Sequence, residues 1–465
     1  MLGVGSGARK PGTLFFDLAP FGRAPVPPAR AEGGLNTVKK RQARLTEAID
    51  GLGEYAEDLC RELVRTNTVN RYAGGVTGNE TDGQKIFGRE LDRLGFDTRL
   101  FEPPPDVYAK AGVLGPGNRS FAGRNNLVGV RSFGNGVAKG KTVVWNGHMD
   151  TVGIQGMTVD PFAAECRGGR IFGRGASDNK GGLAGGAVAA KALVEGGFLD
   201  RGKIIFESVI EEECSGSGAG TIACCLEGYK GDYAIVLDGG IDKISVECMG
   251  VVTGYVTVSG EGGHAAYRGR VSALDMAVLV KERLDVLKKE RLAGHELTSF
   301  CIGEFAAGEA PWMVPRSARI GFNMSYPVEE ALRGEAEHGL FNGIICRGEA
   351  ERALRECSEK HPWLRRHPPA VEWMKDLPPY RTDRSSPVVA AMERACRLVK
   401  LDAAAGIESG WGDASWLTRL GGMQTAAIGA GEPGSAHSAD ESVSVGNIMA
   451  QAKVVALATM ALMEA

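Results

Sequence analysis

Three apolar runs, KTVVWNG, KIIFESVI and YAIVLD, are separated by segments with helical periodicity such as GGLAGGAVAAKALVEGG. Strands that alternate with helices specify an α/β layer with a mostly parallel sheet, because parallel neighbours need a crossover helix between them. Helices then cover both faces of the sheet. The first run continues as VVWNGHMDTV, and residues two apart on a strand share a face. His148 and Asp150 therefore leave the strand end on one side.

A chain of 465 residues is longer than one ordinary core supports, and its patterning divides it. Residues 1–44 are rich in Gly, Pro, Ala and Arg and read as a disordered extension. Their apolar core, Leu14-Phe15-Phe16, is shorter than the roughly 7 to 15 residues of a signal peptide. Residues 45–248 read as the first part of a catalytic domain. It begins with a helix in LTEAIDGLGEYAEDLCRELVRT, a second around Gly83 to Leu94, and a strand, FDTRLF. After about Cys248 the pattern changes: GYVTVSG alternates like a half-exposed strand, and a long helix follows from Ala273 to about Arg291. With ARIGFNMSY and AVEWM this describes an α+β insert over residues 249–375. SPVVAAMERACRLV, MQTAAIG and NIMAQAKVVALATMALM then return to α/β character, so residues 376–465 complete the catalytic domain.

A net charge of -3 gives no electrostatic reason to expect nucleic acid or an anionic membrane as a partner. The ten Cys contain no CxxC pair, which fits a reducing cytoplasm better than a disulfide framework. No apolar run is expected to reach the roughly 18 to 20 residues of a membrane span. FGNGVAKGKTVVW mimics a phosphate loop, but Asn135 stands in place of its first Gly and a strand follows where a helix should.

Sites in open α/β sheets gather at the carboxyl ends of strands, and five acidic or His clusters fall at such places. They are His148 with Asp150, Asp178 in GRGASDNKGG, Glu211-Glu212-Glu213 after FESVI, Asp238 after YAIVL, and His437 in GEPGSAHSADE. Two His and several carboxylates form a donor set suited to zinc, cobalt or manganese. Two divalent ions would balance Asp178, Glu213, Asp238 and a bridging hydroxide. A metal pair polarises a carbonyl and generates hydroxide near neutral pH, and a neighbouring Glu that binds no metal can carry the proton. Chemistry alone does not choose among the three Glu. Asp150 suits a supporting role, accepting a hydrogen bond from the other ring nitrogen of His148.

In VVWNGHMDTV, IFGRGASDNKGG, SVIEEECSGSGA, IVLDGG, SGEGGHAAYRG and GSAHSADESV the chain resembles the co-catalytic metallohydrolases. These include acetylornithine deacetylase, succinyl-diaminopimelate desuccinylase, aminoacylase and carboxypeptidase G. The resemblance runs from about Leu45 to the C-terminus. It implies that His148 and Asp238 hold one metal, Glu213 and His437 the other, and that Asp178 bridges them. It further implies that Glu212 is the general base and acid, that Asp150 orients His148, and that the Asp178-Asn179 peptide is cis. The match at His264 implies a homodimer in which this residue reaches across to stabilise the oxyanion of the partner's site.

The implied reaction is removal of an acyl group from a small N-acylated amine or amino acid, by attack of a hydroxide bridging two metals, with a dipeptidase or carboxypeptidase as the alternative. Two positions depart from the family pattern. Trp312 and Met324 stand where relatives place an Asn and an Arg that grip the substrate carboxylate, and neither can replace a bidentate Arg. In ESGWGDASWL, Glu408, Trp411, Asp413 and Trp416 face substrate on one reading and are packing residues on the other.

Overall fold

A computed structural model describes residues 30–134, 140–214 and 217–464, with side chains from residue 37 onward. The expected disorder of residues 1–29 and the rejected phosphate loop at Asn135 lie outside the described residues. The chain divides into two compact units, residues 1–42 and 43–465. Residues 30–44, assigned above to a disordered extension, are instead helical, as part of the helix Arg30–Asp50. The helix expected in LTEAIDGLGEYAEDLCRELVRT is broken in two, and its second half is Gly53–Arg65. Gly51 and Gly53 flank the break, and glycine costs a helix interior about 1 kcal/mol relative to Ala.

Nine strands among the described residues form the main sheet. Its centre is parallel: Lys203–Val209, Thr142–His148, Tyr233–Val236 and Gln424–Ala427 lie side by side in that order. Antiparallel strands flank this centre, among them Asp97–Phe101 and Asn126–Ser132 on one side. Gly181–Glu195, Pro387–Val399 and Val445–Glu464 pack on one face, and Ala219–Leu226 and Ala414–Arg419 on the other.

One expectation is corrected here. Val445–Glu464 is long and apolar enough to cross a membrane by composition, yet most of it is buried inside this protein. Its apolar character serves the core, where Val455, Leu457 and Met460 are enclosed.

The segment Gly250–Leu377 builds a second core. Four antiparallel strands, in the order Phe300–Ala307, Ser317–Tyr326, Gly250–Ser259 and Ala370–Leu377, carry the helices Ala273–Gly294 and Ile344–Lys360. Strict alternation of burial along Gly250–Ser259 matches a sheet with one packed face.

Candidate metal centre

The parallel strands deliver the candidate residues to one edge of the main sheet. His148 ends its strand, Asp238 follows Val236 by two residues, and Glu211-Glu212-Glu213 follow Val209. Asp178 lies in a tight turn, Ala176–Lys180, that leads into Gly181–Glu195. The Asp178-Asn179 peptide is cis, as the resemblance implies.

Asp178 stands between the two His. His148 Nε2 is 2.8 Å from Asp178 Oδ1, and His437 Nε2 is 3.3 Å from Asp178 Oδ2. His437 Nε2 is also 2.9 Å from Glu213 Oε1, and His148 Nε2 is 3.7 Å from Asp238 Oδ2. His148, Asp178 and Glu213 each offer a donor atom within 4.8 Å of the others. All five expected ligands thus meet at one place, with Asp178 central.

Asp150 meets the other ring nitrogen of His148, as expected, and does so through its main chain. His148 Nδ1 lies 2.8 Å from the backbone carbonyl of Asp150, whereas the nearer carboxylate oxygen is 3.7 Å away. A carbonyl only accepts, so Nδ1 carries a proton, and Nε2 is the ring nitrogen turned toward the carboxylates. The Asp150 carboxylate is used elsewhere. It accepts from the backbone N–H of Glu212 at 3.3 Å, of Glu213 at 3.2 Å, and from Asn70 Nδ2 at 2.7 Å. One residue thereby orients the His through its main chain and the Glu pair through its side chain.

Glu211 faces away from this cluster, fully buried. Arg124 and Arg119 contact its two oxygens at 2.7 and 3.0 Å, and Asn70 Nδ2 bridges it to Asp150. Asn70, Arg124 and Glu80 carried no signal in the sequence, because their partners lie 44 to 141 residues away. Glu441 could have been found, four residues after His437. Its Oε1 accepts the backbone N–H of Ser177 at 3.0 Å and of Asp178 at 3.1 Å.

The electrostatics fit a pair of divalent cations. Burial, then the charge of Asp178, pushes the Glu213 carboxyl up to about 7 and the Asp238 carboxyl up to about 6. Burial opposes ionisation of Asp178 too, but hydrogen bonds from His148 and His437 outweigh it and hold Asp178 below the usual carboxylate range. Three crowded carboxylates resist sharing one enclosed space as anions, and metal charge relieves that repulsion. Burial also raises Glu212, and Glu213, Asp413 and Asp238 add to the rise against the opposing pull of His148. A cavity of about 320 Å³ opens on the cluster, lined by Asp178, Asp238, Lys243 and Glu408 among others.

Other candidates stand apart from the cluster. His264 is exposed on the short strand Gly263–His264, and its Nδ1 accepts from the N–H of Ala266 at 3.1 Å. Met324 is enclosed in the insert core, so it cannot touch a substrate, and Trp312 is 64% exposed. Trp411 and Trp416 donate to backbone carbonyls of Pro378 and Ser217, at 3.1 and 3.0 Å, which identifies both as packing residues. Glu408 is paired with Lys243 at 2.8 Å.

Asp413 belongs to a polar layer beneath the site. Thr221 Oγ1 donates to it at 2.7 Å and accepts from Asn146 Nδ2 at 3.0 Å, and Asn146 Nδ2 also donates to Glu207 at 2.9 Å. Burial pushes the Glu207 carboxyl up to about 8, against the Asn146 bond. A folded-state value above the unfolded one means that stability is complete below about pH 4.5 and is lost as pH rises toward 8. Glu207→Gln should flatten that slope by up to ~1.4 kcal/mol per pH unit, read by denaturant unfolding across pH 5 to 8. An unchanged slope would show that Glu207 does not hold its proton.

The profile of peptidase family M20/M25/M40 matches residues 144–461. The chain is 27% identical over 437 residues to the N-formyl-4-amino-5-aminomethyl-2-methylpyrimidine deformylase of Bacillus subtilis, covering 86% of this chain and 94% of the relative. It is 29% identical over 297 residues to succinyl-diaminopimelate desuccinylase of Methylocella silvestris, covering 59% of this chain and 68% of the relative. Its fold is similar to that of a tripeptidase from Staphylococcus aureus, with a TM-score of 0.66, 19% identity, and coverage of 89% of this chain and 99% of the other.

Proposed function

The chain belongs to peptidase family M20/M25/M40, and from that premise we propose that it is a two-metal amidohydrolase that removes an acyl group from a small N-acylated amine or amino acid. It is a hydrolase of amide bonds, and its similarity to a deformylase over most of both chains favours deacylation. The observation that carries the reading is the cluster of His148, Asp178 and Glu213 with Glu212 beside it.

His148 and Asp238 would hold one ion, Glu213 and His437 the other, and Asp178 both; zinc is our first choice, then cobalt or manganese. When bound, the pair polarises the amide carbonyl and makes water nucleophilic near neutral pH. Glu212 takes the proton of the attacking water and passes it to the departing amine nitrogen. Asp150 keeps His148 in one tautomer and, by gripping the N–H groups of Glu212 and Glu213, fixes the spacing between proton carrier and ligand.

A homodimer completes the site, with His264 of one copy stabilising the oxyanion in the other. Two exposed features of the insert support it. Phe300–Ala307 is an edge strand, and Ala273–Gly294 exposes Leu274, Val278, Val286 and Leu292. Val278→Glu should shift the sedimenting species from dimer to monomer and lower activity at least ~10-fold, through loss of the shared His. A fully active monomer would refute the shared site. In this proposal residues 249–375 form the dimerisation and lid domain, between catalytic parts 45–248 and 376–465. Ten cysteines without a disulfide support a cytoplasmic location.

The dipeptidase alternative needs a free acid to take a substrate ammonium. Glu408 is paired with Lys243 and Asp413 accepts from Thr221, so neither is poised for it. The test is a panel of N-formyl, N-acetyl and N-succinyl amines and dipeptides, with chelated protein reloaded with zinc, cobalt or manganese. Deacylation restored by metal, at least ~100-fold above the chelated protein, is expected. Cleavage of dipeptides alone would make the enzyme a peptidase.

A further inference from the structure

Two of the five candidate ligands are not delivered by a parallel strand. Asp178 lies in the turn Ala176–Lys180, and His437 in the loop between Gln424–Ala427 and Ser442–Ser444. The His437 side chain is half exposed, whereas that of His148 is enclosed. Its Nε2 nevertheless stands 3.3 Å from Asp178 Oδ2 and 2.9 Å from Glu213 Oε1, so contacts outside the sheet must set that spacing.

One buried residue joins the turn to the loop. Glu441, four residues after His437, is fully enclosed. Its Oε1 accepts from the backbone N–H of Ser177 at 3.0 Å and of Asp178 at 3.1 Å, and its Oε2 accepts from Arg174 Nη1 at 2.5 Å. Its own carbonyl accepts from the N–H of Gly173 at 2.9 Å. The stretch between His437 and Glu441 belongs to a closed loop, because Ser435 Oγ donates to the carbonyl of Ser442 at 2.9 Å and accepts from its N–H at 3.0 Å. His437 therefore rides on a loop whose anchor is tied to the backbone of Asp178 itself.

Hydrogen bonds from N–H groups to a carboxylate are stronger than neutral ones. Asp150 makes the same grip on the successive N–H groups of Glu212 and Glu213. Two buried carboxylates thus brace the two sides of the cluster. Residues that orient ligands in this way tune metal affinity by about 10- to 100-fold. In Glu441 the grip and the ion pair use different oxygens, so substitution can separate them.

We infer that Glu441 is a positioning residue: by gripping the N–H groups of Ser177 and Asp178 it fixes the His437 loop against Asp178, and so sets how tightly the ion of Glu213 and His437 is held. This rests on the two-metal reading above. The grip, not the ion pair with Arg174, carries the effect.

The test is calorimetric titration of metal-free, full-length protein with zinc. Glu441→Asp keeps the charge for the long side chain of Arg174 but withdraws the oxygen from the N–H groups. The double variant Arg174→Met/Glu441→Gln does the reverse, since the amide oxygen still accepts while the ion pair is gone. Wild type should take up two ions. Glu441→Asp should weaken one of them by ~10- to 100-fold and leave the other within ~3-fold, and the double variant should hold both within ~3-fold of wild type. His437→Ala identifies the affected step, which must be the one that Glu441→Asp weakens.

Unchanged binding in Glu441→Asp, weakening in the double variant, or a loss at the step that His437→Ala leaves intact would each overturn the assignment alone. A variant that no longer melts cooperatively would make Glu441 a determinant of the fold and overturn it as well. Wild type that binds fewer than two ions would sink the two-metal reading and this inference with it.

Discussion

Glu212→Gln should lower kcat by ~10²- to 10⁴-fold while leaving metal content near that of wild type. The amide matches the carboxyl in size but cannot take a proton from water. Its backbone N–H still donates to Asp150, so the loop that carries Glu213 keeps its anchor. None of the cluster contacts of His148, Asp178 and His437 involves the Glu212 side chain, so their geometry should persist. The variant should also unfold no more easily than wild type, because Glu213, Asp413 and Asp238 all oppose a charge at that position. Amine release and metal analysis on the same preparation provide the check. Turnover above a tenth of wild type would remove Glu212 from the mechanism.

The fold was legible wherever local pattern and tertiary demand agree. KTVVWNG, KIIFESVI and YAIVLD became adjacent parallel strands because continuous apolar runs suit a sheet buried on both faces. The break at Gly51 to Gly53 was not read, since the apolar spacing continues through it and only the two glycines mark it. The membrane expectation failed at Val445–Glu464 for a related reason. A core helix surrounded by protein and a lipid-facing helix share one composition.

The candidate site divides in the same way. His148, Glu213 and Asp238 were legible because each lies at or just after the end of a parallel strand, whereas Asp178 and His437 come from a turn and a loop that the strand pattern alone does not place. The pairing of Asp150 with His148 was legible too, but spacing shows only that two residues share a face, not which atom of the second one is nearer. Its carbonyl lies closer to the ring of His148 than its carboxylate does.

Arg124→Met should destabilise the protein by ~3–5 kcal/mol, because it leaves buried acids without their cation. Arg124 is 2% exposed and holds Glu80 through Nε, at 3.0 and 3.1 Å, and Glu211 through Nη1 at 2.7 Å. In its absence Glu211 keeps Arg119, whereas Glu80 has no other ion pair among the described residues. Burial already raises both acids; Arg124 is the charge that brings Glu80 down, and it acts with Arg119 on Glu211. The variant acids must therefore hold protons in the folded state. Raised folded-state values imply stability that is present at low pH and lost as pH rises, so the deficit should be larger at pH 8 than at pH 5. Activity should fall with it, since Glu211 directly precedes the proton carrier and has its backbone in the left-handed region at φ 66°. Met keeps much of the apolar volume, so the loss reports charge rather than a cavity. Denaturant unfolding at the two pH values measures it. A deficit below ~1 kcal/mol, equal at both, would mean that Asn70 and Arg119 alone hold the Glu211 end of the loop.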